Sequence, residues 1–263
     1  MAFELVVSAL HHQYGSLQVL EDISFTLSQG EILAVVGPSG CGKSTLLGII
    51  GGLLRPSRGS VAVTGDMPPD SLNPFTYIFQ DFALLPWRSV AENARLPLEH
   101  HALSRAECGE RVADALGRTG LTDFAHALPK QLSGGMRQRV GIARALVVRP
   151  AVLLMDEPFS ALDAQTRELL MEDFEAIWAR ENTTAIYVTH NLHEALRMAD
   201  RIMILRRRPG RIREMVSVPI PRTERRQGAA AEHLRRLNDE LYNRLWSYIR
   251  DEAQMADREV TSG

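Results

Sequence analysis

The chain has 263 residues, of which 45% are hydrophobic and 24% charged, with a formal net charge of −2. These are ordinary globular values, and a chain of this length buries on the order of 75% of its unfolded surface without needing a disulfide or metal staple. Thirty Lys+Arg against 32 Asp+Glu argues against a general nucleic-acid binder, which would be plainly basic. The two cysteines, Cys41 and Cys108, exclude a disulfide framework or a Cys-rich zinc site and fit a reducing compartment. No signal peptide is expected from the first 15 residues. No run approaches the ~18–20 apolar residues that span a bilayer. Among all the basic residues only Lys43 and Lys130 are lysines, against a general preference for Arg that reads as coding bias.

In chain order, the first 65 residues read as strands and turns. Short β-rich runs at 3–10, 24–27, 32–36 and 61–63 are separated by turns such as Ser28-Gln29-Gly30. A helix is expected from the end of 37–42 to about Leu53. From Ser89 to about Pro150 the chain turns helical. Ser89-Val-Ala-Glu92 and Ser104-Arg-Ala-Glu107 both match the capping box, in which a Ser and a Glu three residues on satisfy each other's orphan amides. A strand at 151–155, a helix at 164–180, a strand at 184–188 and a helix opened by Asn191 follow. Two late strands, 202–205 and 212–218, are joined through Pro209-Gly210. Such strand–helix alternation predicts an α/β fold with parallel strands, with the helical stretch inserted at its edge. In the tail, Leu234, Leu237, Leu241, Leu245 and Ile249 form one apolar stripe at helical spacing. That stripe suits either a helix docked on the core or a partner-binding helix.

The chemistry concentrates first at Gly37-Pro38-Ser39-Gly40-Cys41-Gly42-Lys43-Ser44, which matches G-x-x-x-x-G-K-S/T between an apolar strand and a helix-compatible run starting at Thr45. Glycines let successive N–H groups turn inward around phosphates, and the helix N-terminus adds partial positive charge. Lys43 supplies a flexible point charge for the β- and γ-phosphates. Ser44 offers a hydroxyl to Mg²⁺, and Cys41 its backbone amide. Downstream, Val152-Leu-Leu-Met-Asp156-Glu157 is an apolar strand ending in two carboxylates. Asp156 is suited to hold Mg²⁺ in such a fold. Glu157 is a candidate general base for the attacking water.

Shortly before that strand, Leu132-Ser133-Gly134-Gly135-Met136 resembles the LSGGQ signature of ATP-binding cassette (ABC) ATPases, with Met136 where Gln is usual. The other elements of that family stand in order. Gln80 resembles the Q-loop glutamine that reaches the metal and the attacking water, and 160–163, ending in Asp163, resembles the D-loop. His190 resembles the switch histidine at the γ-phosphate, and Tyr14 the aromatic that stacks on adenine. The resemblance implies an α/β P-loop ABC ATPase fold with an N-terminal antiparallel β subdomain and a helical insertion at about 89–150. The ATPase domain would cover 1–221, with a C-terminal helical extension at 222–263. It also implies ATP and Mg²⁺ as cofactors. Two copies would pair head to tail, with Ser133, Gly134, Gly135 and Asp163 of one closing over nucleotide held by Lys43 of the other.

A single cassette resembles the ATPase subunit of a bacterial importer. The segment 79–90, with Leu84, Leu85 and Trp87, resembles the nitrate/sulfonate/taurine-type importer ATPases, as does Arg207-Arg208-Pro209-Gly210-Arg211-Ile212. That resemblance implies permease subunits in the membrane, a substrate-binding protein acting through them, and a peripheral place on the cytoplasmic face of the bacterial inner membrane. No nucleic acid is expected as a partner. The alternative is a soluble cassette acting on DNA or ribosomes; such proteins carry a coiled-coil insertion or a second cassette, and neither is expected from this sequence. Leu84, Leu85 and Trp87 suit either a permease groove or core packing. The stretch 206–226 holds eight Arg against two acidic residues. It reads as a solvated strand–turn–strand or a patch for anionic lipid.

Overall fold

The computed structural model describes residues 2–79, 83–160, 163–181, 183–207, 209–225 and 228–261. Its strands are β1 (Glu4–Tyr14), β2 (Leu17–Ser28), β3 (Ile32–Val36), β4 (Arg58–Thr64), β5 (Phe75–Ile78), β6 (Val152–Asp156), β7 (Thr184–Val188), β8 (Arg201–Arg206) and β9 (Arg211–Ser217). Its helices are α1 (Lys43–Ile50), α2 (Val90–Arg95), α3 (Arg105–Arg118), α4 (Gly134–Leu146), α5 (Ala164–Glu181), α6 (Leu192–Met198) and α7 (Gly228–Thr261). The chain divides into two compact units, one of residues 1–3 and 65–185, the other of 4–64 and 186–263.

In the unit of 4–64 and 186–263, β1 pairs antiparallel with β2 (Leu5 opposite Leu27) and with β4 (Leu5 opposite Val63), giving the order β2-β1-β4. Alternation explains the pairing. Leu5, Val7, Leu20, Ile23, Phe25 and Leu27 face inward and are buried, and residues between them face out. β3 behaves differently. All five residues, Ile-Leu-Ala-Val-Val, are buried, as expected of a parallel strand covered on both faces. It runs parallel to β8 (Val35 opposite Met203), and β8 pairs antiparallel with β9. Helix α1 stops at Ile50, short of the expected Leu53, because Gly51 closes it and Gly52 takes a left-handed φ of +76°.

The end of α6 is tied down by Arg225, whose guanidinium is almost wholly buried. Its Nη1 donates to the carbonyls of Leu196, Arg197 and Ala199 at 3.0, 3.0 and 2.7 Å, and Nε donates to Ile220 at 2.8 Å. Charge-assisted bonds of this kind satisfy the orphan carbonyls at a helix C-terminus. Helix α7 lies against α6, with Leu241 fully buried. Further along α7, Arg213 of β9 stacks 3.8 Å from the Tyr248 ring centroid, and Glu214 bonds Tyr248 and Arg244. The docked-helix reading of the tail therefore holds at these positions. Part of the basic stretch is engaged within the protein, where Arg211 pairs with Glu21 and Arg222 with Asp200.

In the unit of 1–3 and 65–185, β5 runs parallel to β6, with Phe75 opposite Val152. β5 is a strand that the sequence reading did not place. Both capping boxes form. Ser89 N–H donates to Glu92 at 2.7 Å, and Ser104 N–H donates to Glu107 at 2.8 Å. Helices α2, α3 and α4 enclose one apolar cluster that includes Val90, Ala94, Leu116, Val140 and Val147. Leu84 packs on that cluster, whereas Trp87 is 72% exposed. The fully buried Asn93 stitches the turn between them. It accepts from Leu85 N–H at 2.8 Å and donates to the carbonyls of Leu85, Arg88 and Ser89 at 3.1, 2.9 and 3.0 Å. Among the described residues no helix is long and apolar enough to cross a membrane.

Candidate functional site

β3 delivers the chain into the phosphate loop, and α1 leaves it. Gly42 takes φ +98°, a left-handed conformation, and a β-carbon there would stand 2.7 Å from Leu20 Cδ2. Only glycine meets both constraints. A β-carbon on Gly37 would likewise press to 2.7 Å on the Leu205 carbonyl and 2.9 Å on Cys41 Sγ. Cys41 is buried, and its N–H donates to the Pro38 carbonyl at 3.3 Å, so the thiol is packing and the residue serves the turn. Lys43 is buried at the first position of α1, and its Nζ donates to the Gly37 and Pro38 carbonyls at 2.9 and 3.1 Å. The ammonium is thereby held over the loop. Ser39, Gly40 and Ser44 are exposed, and Thr45 is half-buried.

His190 belongs to the same unit and is exposed. Its loop is fixed on both sides. Thr189 N–H donates to the Val35 carbonyl at 3.2 Å, which holds the loop to β3 just ahead of Gly37. Glu194, 5% exposed, accepts from the hydroxyls of Tyr187 and Thr189 at 2.5 and 2.7 Å and from Asn191 Nδ2 at 3.2 Å. Asn191 in turn caps α6, its side chain accepting from His193 N–H at 2.9 Å. Tyr14 ends β1 opposite Leu17, is half-exposed, and meets His12 edge-on at 4.7 Å.

The other unit carries the second set of residues. Asp156 ends β6, half-buried. Glu157 follows with φ +47°. That left-handed backbone is unusual for a non-glycine residue, costs about 1–2 kcal/mol, and turns the chain abruptly at the strand end. Ser160 stabilises the turn, its N–H and hydroxyl donating to the Glu157 carbonyl at 3.2 and 2.9 Å. Ser133 caps α4, accepting from Met136 N–H at 3.2 Å. Ser133 and Gly134 are exposed, and a β-carbon on Gly135 would meet nothing within 4 Å, so the helix N-terminus is open to approach. Met136 packs on the helical cluster, which accounts for an apolar residue where the signature has Gln. Asp163 accepts from Thr166 N–H at 2.9 Å, capping the start of α5. Gln80 lies outside the described residues, as do Ala161 and Leu162 of the segment that leads to Asp163.

Comparison with known proteins names the class. The sequence profile of the ABC transporter family matches residues 20–160. An ATP-binding protein of Brucella abortus is 41% identical over 257 residues, 95% of each chain. This chain belongs to the ABC transporter ATPase family. It binds nucleotide and hydrolyses ATP. The bicarbonate transport ATP-binding protein CmpD of Synechocystis is 40% identical over 90% of this chain and 83% of its own. Among solved structures, a dimeric bacterial ABC transporter cassette is 32% identical with a TM-score of 0.67, covering 82% of this chain and all of that one. The same cassette bound to ADP and phosphate gives 0.65. CbiO1 of Clostridium perfringens, part of the CbiONQ transporter complex, gives 0.72 at 27% identity, covering 83% and 90%.

Within this ABC ATPase, two features went unseen in the sequence. Glu194 looks there like an ordinary first-turn acid of a helix, and only the fold shows it bonded to both neighbours of His190. Arg207 looks like one of several loop arginines. It lies beside Gly40, with its Nη2 3.9 Å from where a β-carbon on that glycine would stand.

Proposed function

We propose that this ABC ATPase energises a membrane importer for a small solute of the bicarbonate, nitrate, sulfonate or taurine kind. The observation that carries the proposal is the 40% identity to a bicarbonate transport ATPase, which extends over 90% of the chain. In this reading residues 37–45 wrap the phosphates, and Lys43 places its charge on the β- and γ-phosphates. Glu157 orients and deprotonates the attacking water, with Gln80 and His190 completing the γ-phosphate end. Tyr14 packs on the base. Ser44 and Asp156 would hold Mg²⁺, since hydroxyl and carboxylate oxygens are the donors it prefers. Bound there, the ion would neutralise charge developing on the phosphates.

Two copies work together. The exposed Ser133 and Gly134 and the open Gly135 suit the closing of one copy over nucleotide held by the other, with Asp163 beside the same seam. Closure powered by differential contacts to the γ-phosphate, and release on hydrolysis, would drive the membrane subunits between two arrangements. The 72% exposed Trp87, held on the Asn93-stitched turn just ahead of the helical segment 89–150, suits a permease contact. Residues 1–221 form the ATPase domain and 222–263 its helical extension. The chain sits peripherally on the cytoplasmic face of the inner membrane, and a separate substrate-binding protein delivers the solute.

The test is affinity purification of the tagged full chain from detergent-solubilised membranes. An integral membrane protein is expected to co-purify in stoichiometric amount. Recovery of the chain with nucleic acid or ribosomes and no membrane protein would reverse the assignment.

A further inference from the structure

We propose that Arg207, at the tip of the β8–β9 hairpin, is a nucleotide-binding residue that contacts the α-phosphate. This rests on the reading that Lys43 and its loop hold the phosphates. All the residues involved lie in the unit of 4–64 and 186–263.

The hairpin tip is wedged against the phosphate loop. Gly210 N–H donates to the Val19 carbonyl at 2.8 Å, and Glu21 N–H donates to the Gly210 carbonyl at 2.9 Å. The contact leaves no room for a side chain, because a β-carbon on Gly210 would stand 2.1 Å from the Cys41 carbonyl. Arg211, next along, pairs with Glu21 on β2. Gly42 in turn abuts Leu20 and Val19. The loop, β2 and the hairpin are therefore packed as one piece, and the position of Arg207 beside Gly40 follows from it.

Between them lies a cavity of about 330 Å³ lined by Leu17, Gln18, Val19, Gly40 and Arg207. That volume is at the small end of ligand pockets. Its walls divide by chemistry. Leu17 and Val19 are apolar, and Leu17 lies opposite Tyr14 in the sheet, so this side suits a heterocycle and ribose. Gly40 opens on the loop that takes the phosphates. A nucleotide lying across the cavity has its base on the first side and its phosphate chain on the second. The group at the junction is the α-phosphate, and the residue facing the junction is an exposed arginine. The guanidinium fork matches a phosphate in geometry as well as charge.

The experiment is calorimetric titration of the full chain with Mg-ADP and with a Mg-bound non-hydrolysable ATP analogue, comparing wild type, Arg207→Ala, Arg207→Gln and Arg207→Lys. An exposed charge-assisted contact is worth about tenfold in affinity. Arg207→Ala and Arg207→Gln are expected to weaken both nucleotides by that factor and by equal amounts, with unchanged melting temperatures. Arg207→Lys keeps the charge but not the fork and is expected to fall between them and wild type. Wild-type affinity in both Arg207→Ala and Arg207→Gln would overturn the proposal. A loss confined to the ATP analogue would overturn it too, since that pattern belongs to a γ-phosphate contact. Lys43→Ala separates the two readings. If it binds as wild type does, the phosphate-loop reading itself has failed. If it loses binding while the Arg207 variants do not, only the Arg207 proposal falls.

Discussion

The carboxylate of Glu194 makes a quantitative test of how the His190 loop is held. It is 5% exposed and accepts from Tyr187 and Thr189 hydroxyls that are themselves 0% and 2% exposed. Glu194→Ala leaves two buried hydroxyls without their acceptor, at about 1–3 kcal/mol each. Relief from burying a carboxylate offsets part of this, leaving a net loss of about 3 kcal/mol. For a chain of this size each kcal/mol moves the melting temperature by about 2–4 °C, so the expected fall is about 6–12 °C. Glu194→Gln keeps the shape and one acceptor oxygen, and should cost about 1 kcal/mol. The functional effect should run the other way in relative size. Glutamine keeps one oxygen for the Tyr187 and Thr189 hydroxyls, which share Oε2, but turns an NH2 toward the Asn191 amide that Oε1 accepts from, so Asn191 loosens beside His190. Turnover of ATP in Glu194→Gln should drop about tenfold with nucleotide affinity nearly unchanged, as expected for a contact made in the transition state. Differential scanning calorimetry and steady-state phosphate release measure the two effects. A Glu194→Ala protein that melts with wild type, or a Glu194→Gln protein with wild-type turnover, would refute the reasoning.

Other perturbations address the remaining parts of the site. Lys43→Ala removes the only lysine at the phosphate loop, and ATPase activity should fall to background in the same phosphate-release assay. Glu157→Gln keeps the side-chain volume but removes the proposed base. It should retain ATP binding, lose turnover by at least about 100-fold, and accumulate as a closed dimer on size-exclusion chromatography with ATP; an unreduced rate would sink its assignment as the base. Asn93→Ala removes four hydrogen bonds around the 85–89 turn and should cost about 2–4 kcal/mol in urea denaturation, with nucleotide affinity unchanged. The capping boxes predict acid sensitivity. The Glu107 carboxyl is held below its ordinary 4.5 by bonds from the Ser104 side chain and then its backbone. A carboxyl depressed in the folded state stabilises above its unfolded value and loses that contribution as pH falls through the folded one. Helicity followed by circular dichroism should therefore decline on acidification below 4.5, and Ser104→Ala should blunt the decline.

How much of this was legible in the sequence depends on the range of the interaction involved. The capping boxes of α2 and α3 were readable because both partners lie within three residues. The β3 and β6 strands were readable because burial on both faces leaves an unbroken apolar run. β5 was not, since Phe-Thr-Tyr-Ile is short, mostly half-buried and held by its pairing to a strand 77 residues on. The arginine-rich stretch shows the same limit. Composition gives its net charge, but Arg213 finds Tyr248, Arg222 finds Asp200 and Arg225 finds three carbonyls at the end of α6. None of those partners is set by sequence neighbours.

Glu157 shows where a motif stops and backbone physics takes over. The pattern of an apolar strand ending in Asp-Glu names the residue, but nothing in the pattern says that its φ is +47°. A β6 strand that continued straight would send residue 157 along the strand direction. The left-handed φ instead breaks the chain from that direction immediately after Asp156. Ser160 fixes the turn with two bonds to the Glu157 carbonyl. The strain of about 1–2 kcal/mol persists because those bonds and the buried strand before it over-determine the backbone. Glu157→Gly should accordingly relieve the strain and match or exceed wild type in melting temperature while losing hydrolysis. A residue kept at that position for packing would give the opposite result.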